Sequence, residues 1–256
     1  MHLPKVVFED IRLTREVDWI YGFLFYNEWG WGKYILKKHP RLKRLYNIPY
    51  RRDRIEFLHQ YISMFRGAHF DDLRAAGLRY AKPWQKKEKE YFTLLSQIIG
   101  TEWPTNRRKI RALISINPIC PRFLKEWSFS IFFKYKKMSH AIEVIMHESC
   151  HFLYFKKWLE MYPETDKKHF ESPHLEWHLS ELVAPIILND PRVRKFLKTK
   201  AVFYTEYFKI KIGGKTAPAY FTALYKKYIG QKNGFEKFLA AAWRKMKENE
   251  KKFNIK

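Results

Sequence analysis

The sequence is poor in cysteine and in long apolar runs. Two cysteines in 256 residues exclude the disulfide framework of small secreted domains. The longest uncharged apolar runs, such as Trp127–Phe133 and Leu182–Leu188, fall far short of the roughly 20 residues that a membrane-spanning helix needs. No apolar signal core precedes Glu9, so we expect a soluble, cytoplasmic protein without a membrane span.

Acidic residues are also scarce. Asp and Glu number 26 against 50 Lys and Arg, which gives a formal net charge of +24. The plain interpretation is a well-solvated, lysine-rich surface, and the alternative is association with nucleic acid or anionic lipid. The basic residues are densest at 33–54, where nine Lys or Arg accompany Asp53 alone, and at 190–256, where eighteen accompany five acids.

The apolar content is sufficient for a folded core. Hydrophobic residues make up 46% and aromatic residues 18% of the chain, a composition that excludes wholesale disorder. The length fits one large domain or two small ones, and neither an internal repeat nor a Gly/Ser linker is visible. We predict one continuous domain with a helical N-terminal region (1–104), a metal-binding core (105–190) and a basic C-terminal helical region (191–256).

Periodicity predicts a mainly α protein with a small β-sheet, the α+β class. Two short strands, Ile110–Ile116 and Ser128–Phe133, are expected around a proline-containing connection. The last helix of the core is expected over Pro173–Leu188, with Ser172 as N-cap and Pro173 at the first helical position. The other predicted helices are Thr14–Trp29, Arg54–Phe65, Lys86–Ile99, Ser139–Met161, Ala217–Tyr228 and Phe235–Lys247.

The sharpest feature is His147-Glu148-Ser149-Cys150-His151. Two histidines four residues apart lie on one side of a helix, where each can offer an imidazole nitrogen to the same metal ion. Glu148 projects about 100° away from His147, beside the metal. It can accept a proton from a metal-bound water and deliver it to a leaving amine. This is the H-E-x-x-H arrangement of zinc metallopeptidases.

A catalytic zinc site needs a third protein ligand. The following helix offers His174, His178 and Glu181 on one face, whereas Glu176 lies well round the helix from Glu181. His169, in the polar connection between the two helices, is a further alternative.

The motif, followed on a second helix by Leu179-Ser180-Glu181-Leu182, resembles the zincin-fold metallopeptidases of the gluzincin type. The resemblance covers about residues 105–190. It implies one Zn²⁺ per chain, with His147, His151 and Glu181 as ligands and Glu148 as general base. It also implies a small sheet with a substrate-binding edge ahead of the active-site helix. The spacing between His151 and Glu181 is longer than in the thermolysin pattern, so His178 and His169 remain alternatives for the third ligand.

Five side chains are candidates for supporting roles around the metal. His174 and His178 are candidates to stabilise an oxyanion. Glu143, one turn before His147, either orients a ligand or is simply a surface residue. Cys150 is expected to be a buried apolar side chain, and Cys120 is a weaker candidate for contact with the metal.

Two functions of different classes follow from the sequence. The first is a zinc metallopeptidase, a hydrolase that acts on a peptide or protein substrate. The second is a non-catalytic, metal-stabilised protein that binds nucleic acid through its basic surface, although the sequence carries no recognised nucleic-acid-binding signature.

Overall fold

The computed structural model describes residues 2–26 and 30–253. The chain is mainly helical with a small mixed sheet, which confirms the predicted α+β class. The α-helices are α1 (Leu13–Phe25), α2 (Gly32–Lys38), α3 (Arg51–Ala68), α4 (Phe70–Ile99), α5 (Met138–Met161), α6 (Leu175–Leu188), α7 (Pro191–Arg194), α8 (Ala217–Tyr228), α9 (Gly234–Glu248) and α10 (Glu250–Phe253). The strands are β1 (Lys5–Asp10), β2 (Lys109–Ser115), β3 (Arg122–Phe123), β4 (Ser128–Phe132), β5 (Lys211–Ile212) and β6 (Lys215–Thr216). Short 3₁₀ helices occupy Pro40–Asn47, Lys167–Phe170 and Thr205–Phe208.

None of the helices within the described residues has both the length and the apolar character needed to cross a membrane. The helix predicted for Thr14–Trp29 corresponds to α1, and its last predicted residues, 27–29, lie outside the described part of the chain, as do 254–256 of the predicted C-terminal region.

Contacts divide the chain into two compact units. The sheet unit comprises Lys5–Lys86 and Lys109–Ile145. The helical unit comprises Met1–Pro4, Lys87–Arg108 and Met146–Ile255. The three regions predicted from the sequence remain a prediction.

The sheet unit contains a four-stranded sheet in the order β1-β2-β4-β3. The two predicted strands are β2 and β4, which pair in parallel, and β3 adds an antiparallel edge to β4. The sequence pattern did not predict β1, which pairs in parallel with β2 from Lys5↔Lys109 to Asp10↔Ile114. Val6, Val7 and Phe8 favour a strand locally. The partner strand lies about a hundred residues along the chain, so no local signal indicates the pairing.

A buried carboxylate joins β2 to the helices of the same unit. Glu16 of α1 is fully buried and accepts hydrogen bonds from Ser115 Oγ at 2.5 Å and from the Ile116 backbone N–H at 2.7 Å. Arg66 of α3 donates to its other oxygen at 2.7 Å. The charge of Glu16 is therefore fully accounted for by structural partners.

The predicted start of α4 was wrong. The helix begins at Phe70, not at Lys86, and runs through Pro83. Leu73, Ala76, Tyr80 and Trp84 are buried at helical spacing ahead of the predicted start. Their burial outweighs the one backbone hydrogen bond that a proline removes.

In the helical unit, α6 is central and contacts α7, α8, α9, α10 and the 3₁₀ helix Lys167–Phe170. Every residue from Glu176 to Leu188 is buried. The predicted N-terminus was wrong, because the N-cap is His174 and the helix begins at Leu175. Ser172 and Pro173 lie in a turn instead, a conformation that suits proline as well as the first helical position does.

Asp190 secures the C-terminal end of α6. Its buried carboxylate accepts two hydrogen bonds from the Arg192 guanidinium at 2.8 and 2.9 Å and one from Tyr225 Oη at 2.7 Å. Burial opposes ionisation, but these hydrogen bonds together hold the pKa of Asp190 below its ordinary value of 3.8. The network thus ties α7 and α8 to α6, the helix that carries Glu181.

We expect Asp190→Asn to lower the free energy of unfolding by about 1–3 kcal/mol, because charged hydrogen bonds to a buried group are lost. Since the pKa of Asp190 is depressed in the folded state, this stabilisation is fully present above about pH 3.8. It disappears as the pH falls through the lower folded-state pKa. Thermal unfolding at several pH values measures it. Asp166→Asn, which removes the charge of an exposed capping residue, is the matched control and should change the midpoint much less. If the difference in unfolding midpoint between wild type and Asp190→Asn grew as the pH was lowered, the stabilising role of the Asp190 carboxylate would be contradicted.

Candidate metal centre

α5 carries the H-E-x-x-H motif, and its regular helical backbone sets His147 and His151 one turn apart. The two imidazole ring centres lie 4.8 Å apart. Tyr91 of α4 donates a hydrogen bond to the carbonyl oxygen of Met146 at 2.7 Å, directly before His147. His151 stacks on Phe155, and Phe155 stacks on Phe170 with ring centres 4.2 Å apart.

Glu181 of α6 brings a carboxylate to both histidines. Its Oε2 lies 3.2 Å from His147 Nε2, and its Oε1 lies 3.5 Å from His151 Nε2. One ligand atom from each of the three residues falls within 4.8 Å of the others. We call His147, His151 and Glu181 the metal cluster. Among the residues that the structure describes, no other group of three or more His, Cys, Asp or Glu side chains meets this criterion.

The two His–Glu separations within the metal cluster suit a small tetrahedral ion. Ligands about 2.0–2.2 Å from zinc and at tetrahedral angles lie about 3.4 Å from one another, close to the observed 3.2 and 3.5 Å. Two imidazole nitrogens and one carboxylate oxygen are donors that zinc accepts. The cluster can therefore hold a metal ion. The 3.2 Å distance also fits a direct hydrogen bond between His147 and Glu181, so metal content decides between the two.

Solvent reaches the metal cluster on one side. The side chains of His151 and Glu181 are 1% and 3% exposed, whereas His147 is 21% exposed. A catalytic metal would need an open coordination position for water or substrate, and solvent could reach the cluster beside His147. Burial of the other two ligands lowers the local dielectric and strengthens electrostatic interactions there.

The two residues between the histidines that the sequence singled out are both buried. Glu148 is 9% exposed and projects to the side of the His147–His151 face. Cys150 is fully buried, as expected of an apolar side chain. Burial raises the pKa of its thiol, and the carboxylates of Glu148 and Glu181 raise it further, so Cys150 stays protonated at neutral pH.

His178, an alternative third ligand, contacts other partners. It is buried, and its Nδ1 lies 3.1 Å from Tyr207 Oη. Burial lowers the pKa of His178 to about 4, against the opposing charge of Glu181 and a hydrogen bond with the Pro173 backbone. The ring is therefore neutral at pH 7 and packs against Tyr207 and Phe253. It lies outside the metal cluster.

The remaining candidate histidines lie near the start of α6. His169 Nδ1 is 3.1 Å from Glu176 Oε1, and its ring stacks on His174 with centres 4.4 Å apart. This pairing accounts for Glu176, and neither histidine belongs to the metal cluster.

Glu143 and Cys120 belong to the sheet unit, whereas the metal cluster belongs to the helical unit. Glu143 is half-buried on α5. Cys120 Sγ lies 3.2 Å from Tyr135 Oη within its own unit.

Sequence reasoning missed Tyr91, which supports the α5 backbone next to the first histidine. It precedes Met146 by 55 residues, and a tyrosine at helical spacing is indistinguishable from ordinary core packing. Comparison with protein-family models, with curated proteins and with solved structures gave no match, so the metal cluster itself is the basis for assigning a function.

Proposed function

We propose that the protein is a zinc-dependent metallopeptidase of the gluzincin type. The proposal rests on one observation: the ligand atoms of His147 and His151 from α5 and of Glu181 from α6 lie within 4.8 Å of one another. Glu148 directly follows the first of these histidines in the sequence. Two neutral nitrogens and one carboxylate hold a single ion and leave a position open, as hydrolytic zinc sites require.

Each residue has a defined task in this proposal. His147 and His151 would hold a zinc ion through Nε2, and Glu181 would hold it through a carboxylate oxygen. Zinc bound there supplies a Lewis acid, which polarises a carbonyl group and lowers the pKa of water to about 7. A carboxylate oxygen of Glu148 takes one proton from the attacking water and passes it to the amide nitrogen that leaves as an amine. The acyl carbon gains the water oxygen and loses the amine, so the products are a carboxylic acid and an amine.

Burial assists this chemistry. The nearly complete exclusion of His151 and Glu181 from solvent keeps their geometry fixed, because packed side chains cannot change rotamer freely. The substrate-binding strand edge implied by the zincin resemblance remains a prediction.

Hydrolysis of unstructured fluorogenic peptides tests the proposal. Protein purified without a chelator or a histidine tag, and supplied with zinc, is expected to cleave such peptides and to lose the activity in ortho-phenanthroline. Non-chelating meta-phenanthroline is the control and should have no effect. Added zinc should restore the activity. Cleavage that persists in the chelator, or a zinc-loaded chain inert towards a diverse peptide pool, would contradict the proposed function.

A further inference from the structure

The basic segment 33–54 lies on the surface of the sheet unit. It forms α2, the 3₁₀ helix Pro40–Asn47 and the first turn of α3; the 3₁₀ helix contacts both α2 and α3. Eight of its nine basic residues are exposed: Lys33, Lys37, Lys38, Arg41, Lys43, Arg44, Arg51 and Arg52. We call these cations, together with Tyr34, Tyr46 and Tyr50, the basic–aromatic face.

The backbone arranges the cations in rows. Leu42 and Leu45 are completely buried, so they fix the inward side of the 3₁₀ helix. Because residues three apart eclipse one another in such a helix, Arg41 and Arg44 form one outward row. Lys43 and Tyr46 form the other.

The cations of this face have no acidic partners among the residues that the structure describes. The side chains of Lys33, Lys38 and Arg51 lie over aromatic rings instead. In residues 2–26 and 30–253, none of the eight exposed cations forms an ion pair with a carboxylate. Some lysines in the helical unit differ, since Lys157 pairs with Glu236 and Lys195 pairs with Glu90. The face therefore presents cations that are available to a ligand.

Exposed tyrosines lie among these cations. Tyr34 is 50% exposed, Tyr46 is 49% exposed and Tyr50 is 71% exposed. Tyr46 is held in place, because its Oη donates to the Leu24 carbonyl at 3.3 Å and its ring contacts Phe25. Exposed aromatic rings beside cations without acidic partners are the elements that bind single strands, where stacking on bases adds to phosphate contacts.

We propose that the basic–aromatic face binds single-stranded nucleic acid, with Lys and Arg contacting phosphates and tyrosine rings stacking on bases. The base faces of a duplex are hidden by stacking, so a duplex would contact the cations of this face but not stack on its tyrosines. A membrane surface selects helices with Trp, Phe or Leu on an inserted apolar face, whereas the large hydrophobic side chains exposed in residues 30–54 are those of tyrosines. The proposed contacts are to phosphates and base faces, which RNA and DNA share. This function goes beyond peptide hydrolysis and does not depend on it.

Fluorescence anisotropy with labelled oligothymidylate and oligouridylate tests the proposal. Four phosphate contacts would give an affinity that falls about fiftyfold between 50 and 200 mM salt, taking a logarithmic slope of about −0.7 per contact. RNA and DNA strands should bind alike, and a duplex of equal length should bind more weakly at the higher salt.

Matched variants locate the surface. Replacing Lys43, Arg44 and Arg52 together by Gln should reduce the salt slope by about 2. The same change at Lys226, Lys227 and Lys232, which are exposed in the helical unit, removes equal charge and should leave the slope unchanged. Tyr50→Ala should weaken binding about fivefold or more, whereas Tyr50→Phe, which keeps the ring, should stay within about twofold of the chain with an unaltered face.

Four results would overturn the proposal. The first is no binding at 50 mM salt, and the second is an equal reduction of the salt slope in the two triple variants. The third is an affinity that does not change in Tyr50→Ala, and the fourth is tighter binding to anionic phosphatidylserine vesicles than to oligonucleotides. All measurements are made with the Glu148→Gln chain in the presence and absence of zinc. Failure of peptide hydrolysis therefore has no bearing on their outcome.

Discussion

Glu148→Gln is expected to reduce kcat for peptide hydrolysis by about 10²–10⁴-fold while leaving the zinc content unchanged. The amide of Gln matches the carboxylate in shape but cannot accept the proton from water, and general-base catalysis contributes rate factors of this size. Glu148 is buried beside the His147–His151 face, so the isosteric change should preserve packing. Steady-state kinetics and elemental analysis on the same preparation measure both quantities.

The control for this variant is Glu164→Gln, which alters an exposed carboxylate after α5. Its kcat should equal that of wild type. Undiminished turnover in Glu148→Gln would contradict the proposed mechanism. Loss of zinc in that variant would instead make Glu148 a ligand.

Glu181→Ala is expected to lower the zinc content from about one per chain to near zero. The variant removes the only carboxylate of the metal cluster and leaves two histidines, too few ligands for a stable site. Zinc at a hundred times its Kd should raise the wild-type Tm by about 5–10 °C, since binding contributes about 2.7 kcal/mol and a chain of this size shifts by about 2–4 °C per kcal/mol. The variant should show no such rise.

Two further variants keep this test interpretable if Glu181→Ala folds poorly. Glu181→Gln preserves side-chain volume and should also lose zinc. Glu176→Gln changes a buried carboxylate on the same helix that contacts His169, and it should retain zinc. Zinc retained in both Glu181 variants would place the third ligand elsewhere. Wild-type protein that takes up no zinc would leave the metal cluster as a hydrogen-bonded His147–Glu181 pair beside His151.

The parts of the fold that follow from local pattern could be predicted. α5 with its histidine pair, α8, α9 and the strands β2 and β4 come from periodicity within one segment. The turn at Gly213 and Gly214 has positive φ at both residues, which glycine adopts without steric cost.

Contacts between distant segments could not be predicted. Nothing in Lys5–Asp10 indicates a partner at residues 109–114, and nothing near Tyr91 indicates the Met146 carbonyl. The third ligand was open for the same reason. Glu181, His178 and His174 share one helix face in the sequence pattern. Only the packing of α6 shows that the Glu181 carboxylate lies near His147, whereas the His178 imidazole lies near Tyr207.

The segment between α5 and α6 bears on how the site would load its metal. Phe170 stacks on Phe155, and Trp158 Nε1 donates to Thr165 Oγ1 at 3.0 Å, so apolar packing and a hydrogen bond already close the loop that separates His151 from Glu181. Loop closure is the main entropic obstacle to joining ligands distant in sequence. An ion entering here would find its ligands preorganised, unlike a zinc finger, whose chain folds only around the metal. The metal-free protein should therefore remain folded, so zinc can bind and dissociate without unfolding of the chain.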